Sequence, residues 1–278
     1  MGHAVKVVAY NSDWPKIFEQ EAELVRQALG DNCIAVYHIG STAVPGLVAK
    51  PIIDMIPVVK DITQVKQVNN EQMEELGYFA RGEHGMPFRR FFQKWGKNNL
   101  SSNVHVYEQG NPEIERHIYF RDWMRVHEDD RNLYAELKNE LAKEFADDVI
   151  AYCLGKEGFV VDIDRKTGFD GFRMVVPLTD REWEAYLGII EERHAAGHTM
   201  GTLNDSLNEA IEDDCSFVLY KGTEIVCAAK LLFFSKNQAA ISFLGGLKAF
   251  SNNNYEAEMK GLIEKWLRQQ RLRLVSLF

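Results

Sequence analysis

Residues 38–54 read HIGSTAVPGLVAKPIID, a run rich in small residues between two apolar segments. The apolar segments predict strands over residues 33–39 and 51–59. Because the second segment is apolar on both of its faces, we expect it to be an inner strand of its sheet. The chain therefore leaves one strand through a Gly-Ser turn, crosses a short segment of small residues and presents an acid from the next strand.

This run of residues has the chemistry of a phosphate site. Gly40 lets the backbone approach an anion closely, and Ser41 and Thr42 offer hydroxyl and main-chain N–H donors. Lys50 can neutralise a phosphate group, and Asp54 can hold a divalent cation that bridges phosphate oxygens. A carboxylate flanked by Ile and Met residues is costly to bury without a partner, so the sequence favours a functional role for Asp54.

The same run resembles the GrpB family, and the resemblance extends over residues 5–165. The matching positions are His38, Gly40, Ser41, Thr42, Pro45, Gly46, Lys50, Pro51, Asp54, His105, Phe120, Arg121 and Asp122. A later helix that contains Tyr134, Lys138 and Leu141 also fits the end of the family pattern. The resemblance implies a nucleotidyltransferase-like fold, of the kind seen in the polymerase-beta-like superfamily. It also implies that relatives can be fused to other domains, including dephospho-CoA kinase.

The chain departs from active nucleotidyltransferases at one position. Those enzymes carry Asp-x-Asp or Asp-x-Glu on the second strand, whereas Ile56 stands two residues after Asp54 here. A later strand offers His105 where a third acid would stand. Asp54 and His105 could hold one Mg²⁺ ion but hardly the two ions of a full metal clamp. If the site is catalytic, we expect Asp54 to bind Mg²⁺ and His105 to be a second ligand or the general base.

Other candidates for binding a nucleotide lie around this run. His38 either contacts the ligand or hydrogen-bonds the loop, and Arg121, beside Asp122, either serves the site or forms a structural ion pair. The basic residues Arg81, Arg89, Arg90, Lys94 and Lys97 alternate with Phe88, Phe91, Phe92 and Trp95. That pattern indicates either arginines on phosphates with an aromatic ring on the base, or a strand with a solvated basic face. The expected phosphate-binding set is His38, Gly40, Ser41, Thr42, Lys50, Arg89, Arg90 and Arg121.

The second half of the chain has a different pattern. Residues 172–278 predict the order strand, helix, hairpin, strand, helix, strand, which resembles the GNAT acetyltransferase fold. Members of that fold hold the CoA pyrophosphate with an Arg/Gln-x-x-Gly-x-Gly/Ala turn after the fourth strand. The corresponding residues 249–258 read AFSNNNYEAE, with no glycine, no arginine and two acids. The resemblance therefore implies a truncated or degenerate domain, and the departure disfavours CoA or acetyl-CoA as a cofactor.

A polar stretch with two glycines, residues 164–172, predicts the domain boundary. We expect a GrpB-like domain of nucleotidyltransferase-like fold, built on a mixed sheet, over residues 1–168. The GNAT-like α/β domain would occupy residues 169–278. The fold class is thus α/β in the broad sense, with α+β character. An exposed strand at the C-terminal edge could pair with a second copy and give a homodimer.

Composition narrows the functional classes. The chain has 278 residues, a formal net charge of −9 and 46% hydrophobic residues, as in ordinary globular proteins of one or two domains. A pI near 5.5 argues against a general nucleic-acid binder, which needs a basic surface. No apolar segment has the length of a membrane span or a signal peptide. Four widely separated cysteines are typical of a reduced, cytoplasmic protein.

Three hypotheses for the function follow from these patterns. The first is a protein that binds a nucleotide or a related phosphorylated small molecule and, if catalytic, transfers a nucleotidyl or phosphoryl group with Mg²⁺. The second is a non-catalytic binding or regulatory protein, which the missing acid at Ile56 favours. The third is N-acetyl transfer from acyl-CoA by the C-terminal domain, which the sequence supports least.

Overall fold

A computed structural model describes residues 5–96, 100–195, 213–235, 237–250 and 253–275. Contacts divide the chain into two compact units. The first holds the residues up to 169 except 85–87, and the second holds 85–87 together with the residues from 170 onward. Among the residues described, no helix combines the length and the apolar character that crossing a bilayer requires.

The first unit is a mixed five-stranded sheet with six helices. The strands are β1 (Cys33–Ile39), β2 (Ile52–Val59), β3 (Phe79–Ala80), β4 (Arg89–Trp95) and β5 (Ser101–Glu108). The helices are α1 (Trp14–Leu29), α2 (Gln67–Glu75), α3 (Pro112–Val126), α4 (Glu128–Glu144), α5 (Val149–Leu154) and α6 (Glu157–Lys166). The strand order is β1-β2-β5-β4-β3. Only the β2–β5 pair is parallel, and β2 is an inner strand, which confirms the prediction.

Helix α1 covers one face of this sheet. It begins beside Pro15 and ends at Gly30, whose φ of +60° suits a residue without a Cβ. Its buried stripe packs on side chains from β2 and β5, including Met55 and Val104. Since side chains alternate along a strand, Asp54 then belongs to the opposite face of the sheet, with its β5 neighbours Asn103 and His105.

Helix α4 buries only part of the stripe that its leucines form. Leucine or phenylalanine recurs every four residues from Leu133 to Phe145, yet Leu133 is 55% exposed. The buried residues of α4 are Asp130, Tyr134, Lys138 and Leu141. The charged side chains of Asp130 and Lys138 can be buried because they have hydrogen-bond partners. Asp130, for example, accepts a hydrogen bond from Trp123 Nε1 at 2.7 Å and pairs with Lys166.

The second unit is also a five-stranded sheet with helices. Its elements are β6 (Phe172–Val175), α7 (Asp180–Ala195), β7 (Asp213–Lys221), β8 (Glu224–Ser235), β9 (Gln238–Gly246), α8 (Tyr255–Gln269) and β10 (Arg273–Leu274). The strand order is β10-β9-β8-β7-β6, antiparallel except for the parallel β9–β10 pair. The order of strands and helices agrees with the sequence prediction. The expected strand over 272–277 extends past residue 275 and is only partly within the described residues.

Candidate functional site

The turn after β1 lies directly against the acid of β2. Gly40 has a φ of +70°, which side-chain-bearing residues rarely adopt. A Cβ at this position would lie 2.9 Å from Asp54 Oδ2. The close approach and the backbone conformation therefore both require glycine, and together they bring the Gly-Ser turn and the carboxylate into one site.

His38 and Thr42 hold this turn from the α1 side of the sheet. The His38 ring stacks on Phe18, with ring centroids 4.5 Å apart. Thr42 Oγ1 donates to the carbonyl oxygen of Ile52 at 3.1 Å and lies 3.1 Å from His38 Nε2, so it accepts the Nε2 proton. Burial lowers the pKa of His38 to about 4, which keeps the ring neutral at pH 7. Both side chains thus contact the fold on the face opposite to Asp54.

Helix α3 clamps the turn through two arginines. Arg121 donates to the carbonyl oxygen of His38 at 3.0 Å, and Arg125 donates twice to the carbonyl oxygen of Ala43. Both arginines also pair with Asp122, which stays half exposed. Arg121 therefore reaches the predicted site, where it fixes the main chain beside the turn.

Asp54 is held by two neighbours on β5. Its Oδ1 accepts a hydrogen bond from Asn103 Nδ2 at 2.9 Å and lies 3.9 Å from His105 Nε2. Burial alone would raise the pKa of Asp54, but the interactions with His105 and Asn103 outweigh it, so the pKa lies below its ordinary value. Asp54 is therefore a carboxylate at neutral pH. The structure brings the two residues predicted as catalytic, Asp54 and His105, to the same face.

Arg89 fixes the tautomer of His105. The Arg89 guanidinium lies 3.2 Å from His105 Nδ1. Because a guanidinium has no acceptor, Nδ1 must accept, and the proton of the neutral ring stands on Nε2, toward Asp54. Arg89 is buried, and its other hydrogen bonds reach the carbonyl oxygens of Glu83 and His84. Arg90 alternates to the other face of the sheet and lies 3.5 Å from Glu83 Oε1.

A cluster of lysines adjoins the turn on its other side. Lys138, only 2% exposed, donates to Ser41 Oγ at 3.0 Å and to the carbonyl oxygen of Val48. The Lys50 and Lys156 ammonium groups lie 5.0 and 4.6 Å from the centre of the Tyr152 ring. We call Lys50, Lys138 and Lys156 the lysine cluster. Within the described residues, none of the three lies within 4 Å of a carboxylate oxygen.

The model of the family described as "GrpB protein" matches residues 4–166, more than half of the chain. The chain belongs to the GrpB family. The match coincides with the first unit, in which the turn, Asp54 and the lysine cluster all lie. The predicted resemblance is thereby confirmed for this part of the chain.

Relatives of this GrpB-family chain come from several bacteria. The UPF0157 protein YqkA of Bacillus subtilis is 44% identical over 156 residues, which are 56% of this chain and 45% of that protein. The UPF0157 protein BH1888 of Halalkalibacterium halodurans is 36% identical over 163 residues, or 59% of this chain and 82% of that protein. The crystal structure of GrpB from Enterococcus faecalis has a TM-score of 0.55 at 37% identity, covering 58% of this chain and 96% of that one. The matched segment thus spans less than half of YqkA.

The side chains at this GrpB-family site do not fit the metal centre that a nucleotidyltransferase uses. Among the residues described, no group of three or more His, Cys, Asp or Glu side chains could hold a metal ion. Ile56 is fully buried at the place of the second carboxylate. The two-metal clamp needs several hard oxygen ligands, and Asp54 alone supplies one carboxylate.

Sequence reasoning about this GrpB-family chain misses most of the lysine cluster. It identifies Lys50 as a candidate, includes Lys138 only as part of the family pattern, and does not find Lys156. Lys138 is hidden because the leucines of α4 suggest another buried face. The signal that could reveal it is the spacing of Asp130, Tyr134 and Lys138, which recur every four residues and share one side of the helix.

Proposed function

We propose that the GrpB-family unit binds the phosphate groups of a nucleotide or a related phosphorylated small molecule in a nucleotidyltransferase-like pocket. The lysine cluster beside the Gly40–Ser41 turn carries this proposal. Lys138 contacts Ser41 of the turn, and Lys50 and Lys156 lie beside the Tyr152 ring, where Lys156 is near enough to lower the pKa of both other lysines. The described residues place no ion-paired acid among the three. Such an arrangement is expected to attract an anion with several charges.

The electrostatics of Lys138 support an anionic ligand. Burial, with repulsion from Lys156, lowers the pKa of Lys138 to about 7. Burial also lowers the pKa of Lys50. A phosphate placed among these groups would replace the lost hydration of the ammonium ions and stabilise their charged forms. Lys138 has three N–H donors, and its contacts with Ser41 and Val48 use two of them.

Transfer of a nucleotidyl or phosphoryl group is the finer form of the proposal. In that reaction the oxygen of an acceptor hydroxyl would bond to phosphorus while its proton passes to a base, and the bond from phosphorus to the leaving pyrophosphate or nucleoside diphosphate would break. Asp54 is the carboxylate placed to interact with that hydroxyl. Its low pKa makes it a weak base, however, and His105 directs a proton rather than a lone pair toward it.

Binding without turnover is therefore the second candidate function. Two observations favour it over transfer: Ile56 replaces the second acid, and the Nδ1 atom of His105 faces the Arg89 guanidinium. In this case the unit would respond to the concentration of a phosphorylated metabolite. His105 and Arg89 would then be positioning residues that keep Asp54 ionised beside Gly40.

Calorimetric titration of the full chain with ATP and with inorganic triphosphate tests the proposal. We expect both to bind, and Lys138→Met to weaken them at least about tenfold, because a charge-assisted hydrogen bond contributes about 1.5–3 kcal/mol. Lys143→Met, an exposed site on the same helix, is the matched control and should leave the affinity unchanged. Equal affinities for the two variants would contradict the proposal.

For the second unit we propose a GNAT-like fold without a working CoA site. The order β10-β9-β8-β7-β6 and the parallel β9–β10 pair support the fold. Glu256 argues against the cofactor, since its carboxylate already accepts the Gly246 N–H at 3.1 Å and lies 3.4 Å from Arg193. A CoA pyrophosphate at this turn would meet that negative charge. Titration with acetyl-CoA should therefore show no binding, and micromolar binding would refute this part.

A further inference from the structure

We infer that the pocket takes the phosphates of its ligand as free anions, and that the lysine cluster supplies the positive charge for which related sites use divalent cations. This inference rests on the proposed function, because it presupposes that a phosphorylated ligand binds at the Gly40–Ser41 turn. It goes further by assigning the state of the ligand: a di- or triphosphate without bound Mg²⁺.

The oxygen donors around Asp54 are too few for a cation. Three other acids, on helices α3 and α6, already pair with arginines. Asp122 pairs with Arg121 and Arg125, whereas Glu113 and Asp164 pair with Arg116. Asp54 itself gives one oxygen to Asn103 and turns the other toward Gly40. A divalent cation here would keep most of its water shell and gain one carboxylate.

The nearest imidazole does not add a ligand. A neutral histidine binds a metal through the lone pair of its unprotonated nitrogen. In His105 that nitrogen is Nδ1, and it faces the Arg89 guanidinium at 3.2 Å. The nitrogen nearer to Asp54 carries the proton instead. A metal ion between Asp54 and His105 would thus require Arg89 to move from the carbonyl oxygens of Glu83 and His84.

The balance of charge favours an anion over a cation. Lys50 and Lys156, together with Lys138, which is about half protonated at pH 7, outweigh the single carboxylate of Asp54, so a cation would be repelled by more groups than attract it. Lys50 is close enough to Asp54 for each to affect the pKa of the other. For a ligand with three or four negative charges these interactions change sign, so the same lysines attract it. Asp54 then repels the ligand, and its charge limits the affinity.

Two conditions and one substitution test this inference on the full chain. Triphosphate and ATP are titrated in EDTA and in excess Mg²⁺, with the wild type and with Asp54→Asn. We expect binding in EDTA, several-fold weaker binding in Mg²⁺, and about three- to tenfold tighter binding by Asp54→Asn because a repelling charge is lost. Asp31→Asn, an exposed acid before the opposite end of β1, makes the same change in net charge and should have no effect.

The outcomes separate this inference from the proposed function. Binding that needs Mg²⁺ and is lost in Asp54→Asn would overturn the inference and leave the proposed function intact. Failure of both compounds to bind in either condition would overturn both. The comparison of EDTA with Mg²⁺ uses the wild type alone, so it decides the question even if Asp54→Asn does not fold.

Discussion

Two glycines, Gly40 and Gly46, lie in the segment between β1 and β2, and a side chain at Gly40 alone would collide with another residue. Its φ of +70° opposes a side chain, and a Cβ added there would lie 2.9 Å from Asp54 Oδ2. Gly46, six residues later, has a φ of +79°, but a Cβ added there would have no atom within 4 Å. The two glycines therefore share the backbone strain of a substitution, and only Gly40 adds a contact with the acid.

We expect Gly40→Ala to lower the free energy of unfolding by about 2–3 kcal/mol and Gly46→Ala by about 1 kcal/mol. The difference arises because a methyl group at position 40 must displace the Asp54 carboxylate. Urea denaturation followed by circular dichroism measures both values. Equal losses would show that Asp54 moves aside without resistance.

The sequence predicts some residues of the site and not others, for a physical reason. Gly40 and Asp54 are recognisable because a Gly-Ser turn and an acid inside an apolar strand have few structural explanations. The role of Arg89 depends instead on the register that places Phe91 opposite His105. Register is a property of two paired strands, and a single sequence does not state it. The sequence offers the arginine either to a phosphate or to a solvated basic face, and the contact with His105 becomes visible only in the structure.

Helices α1 and α4 show when a periodic pattern predicts a buried face. In α1 the apolar residues Phe18, Ala22, Val25 and Leu29 recur at helical spacing, and all four are buried because they face the sheet while polar side chains face solvent. In α4 the buried face includes Asp130 and Lys138, whose partners include residues far away in sequence. A pattern based on hydrophobicity cannot detect a face that is stabilised by such polar contacts.

Two leucines of α4 test this assignment of its faces. Leu141→Ala should lower the free energy of unfolding by about 2–4 kcal/mol, because Leu141 is buried in a core with Tyr152. Leu133→Ala should change it by about 0.5 kcal/mol or less, since Leu133 is 55% exposed. Chemical denaturation of the two variants measures the values. The reverse order would mean that Leu133, and not Leu141, faces the core.

At the scale of the whole molecule, each unit has a hydrophobic core of its own. The core of the first unit lies between α1 and the sheet, and that of the second includes Tyr186, Ile189 and Val218. The first unit also holds two histidines with strongly lowered pKa values, His38, which is buried, and His117, which is partly buried. Burial lowers the pKa of each to about 4, from an ordinary value of 6.5. The described residues of the second unit contain one histidine, His194, near the end of α7.

These histidines make the first unit sensitive to acid. Between pH 6.5 and pH 4 the unfolded chain holds protons on them that the folded chain does not, so the free energy of unfolding falls as the pH falls. Each histidine contributes at most about 3.5 kcal/mol over this range, at ~1.4 kcal/mol per pKa unit. Urea midpoints at pH 7, 6 and 5 should therefore decrease, and His38→Gln should make the decrease smaller.

Hydrogen exchange at individual amides shows which of the two units is destabilised at low pH. Because the described histidines with lowered pKa values, His38, His84, His105 and His117, all lie in the first unit and each unit has its own core, amides of β1, β2 and β5 should lose protection as the pH falls toward 4, whereas those of β8 and β9 should keep theirs. Exchange rates are compared after correction for the intrinsic effect of pH. If β8 lost protection together with β2, the two units would unfold as one, and the acid sensitivity would belong to the molecule rather than to the first unit.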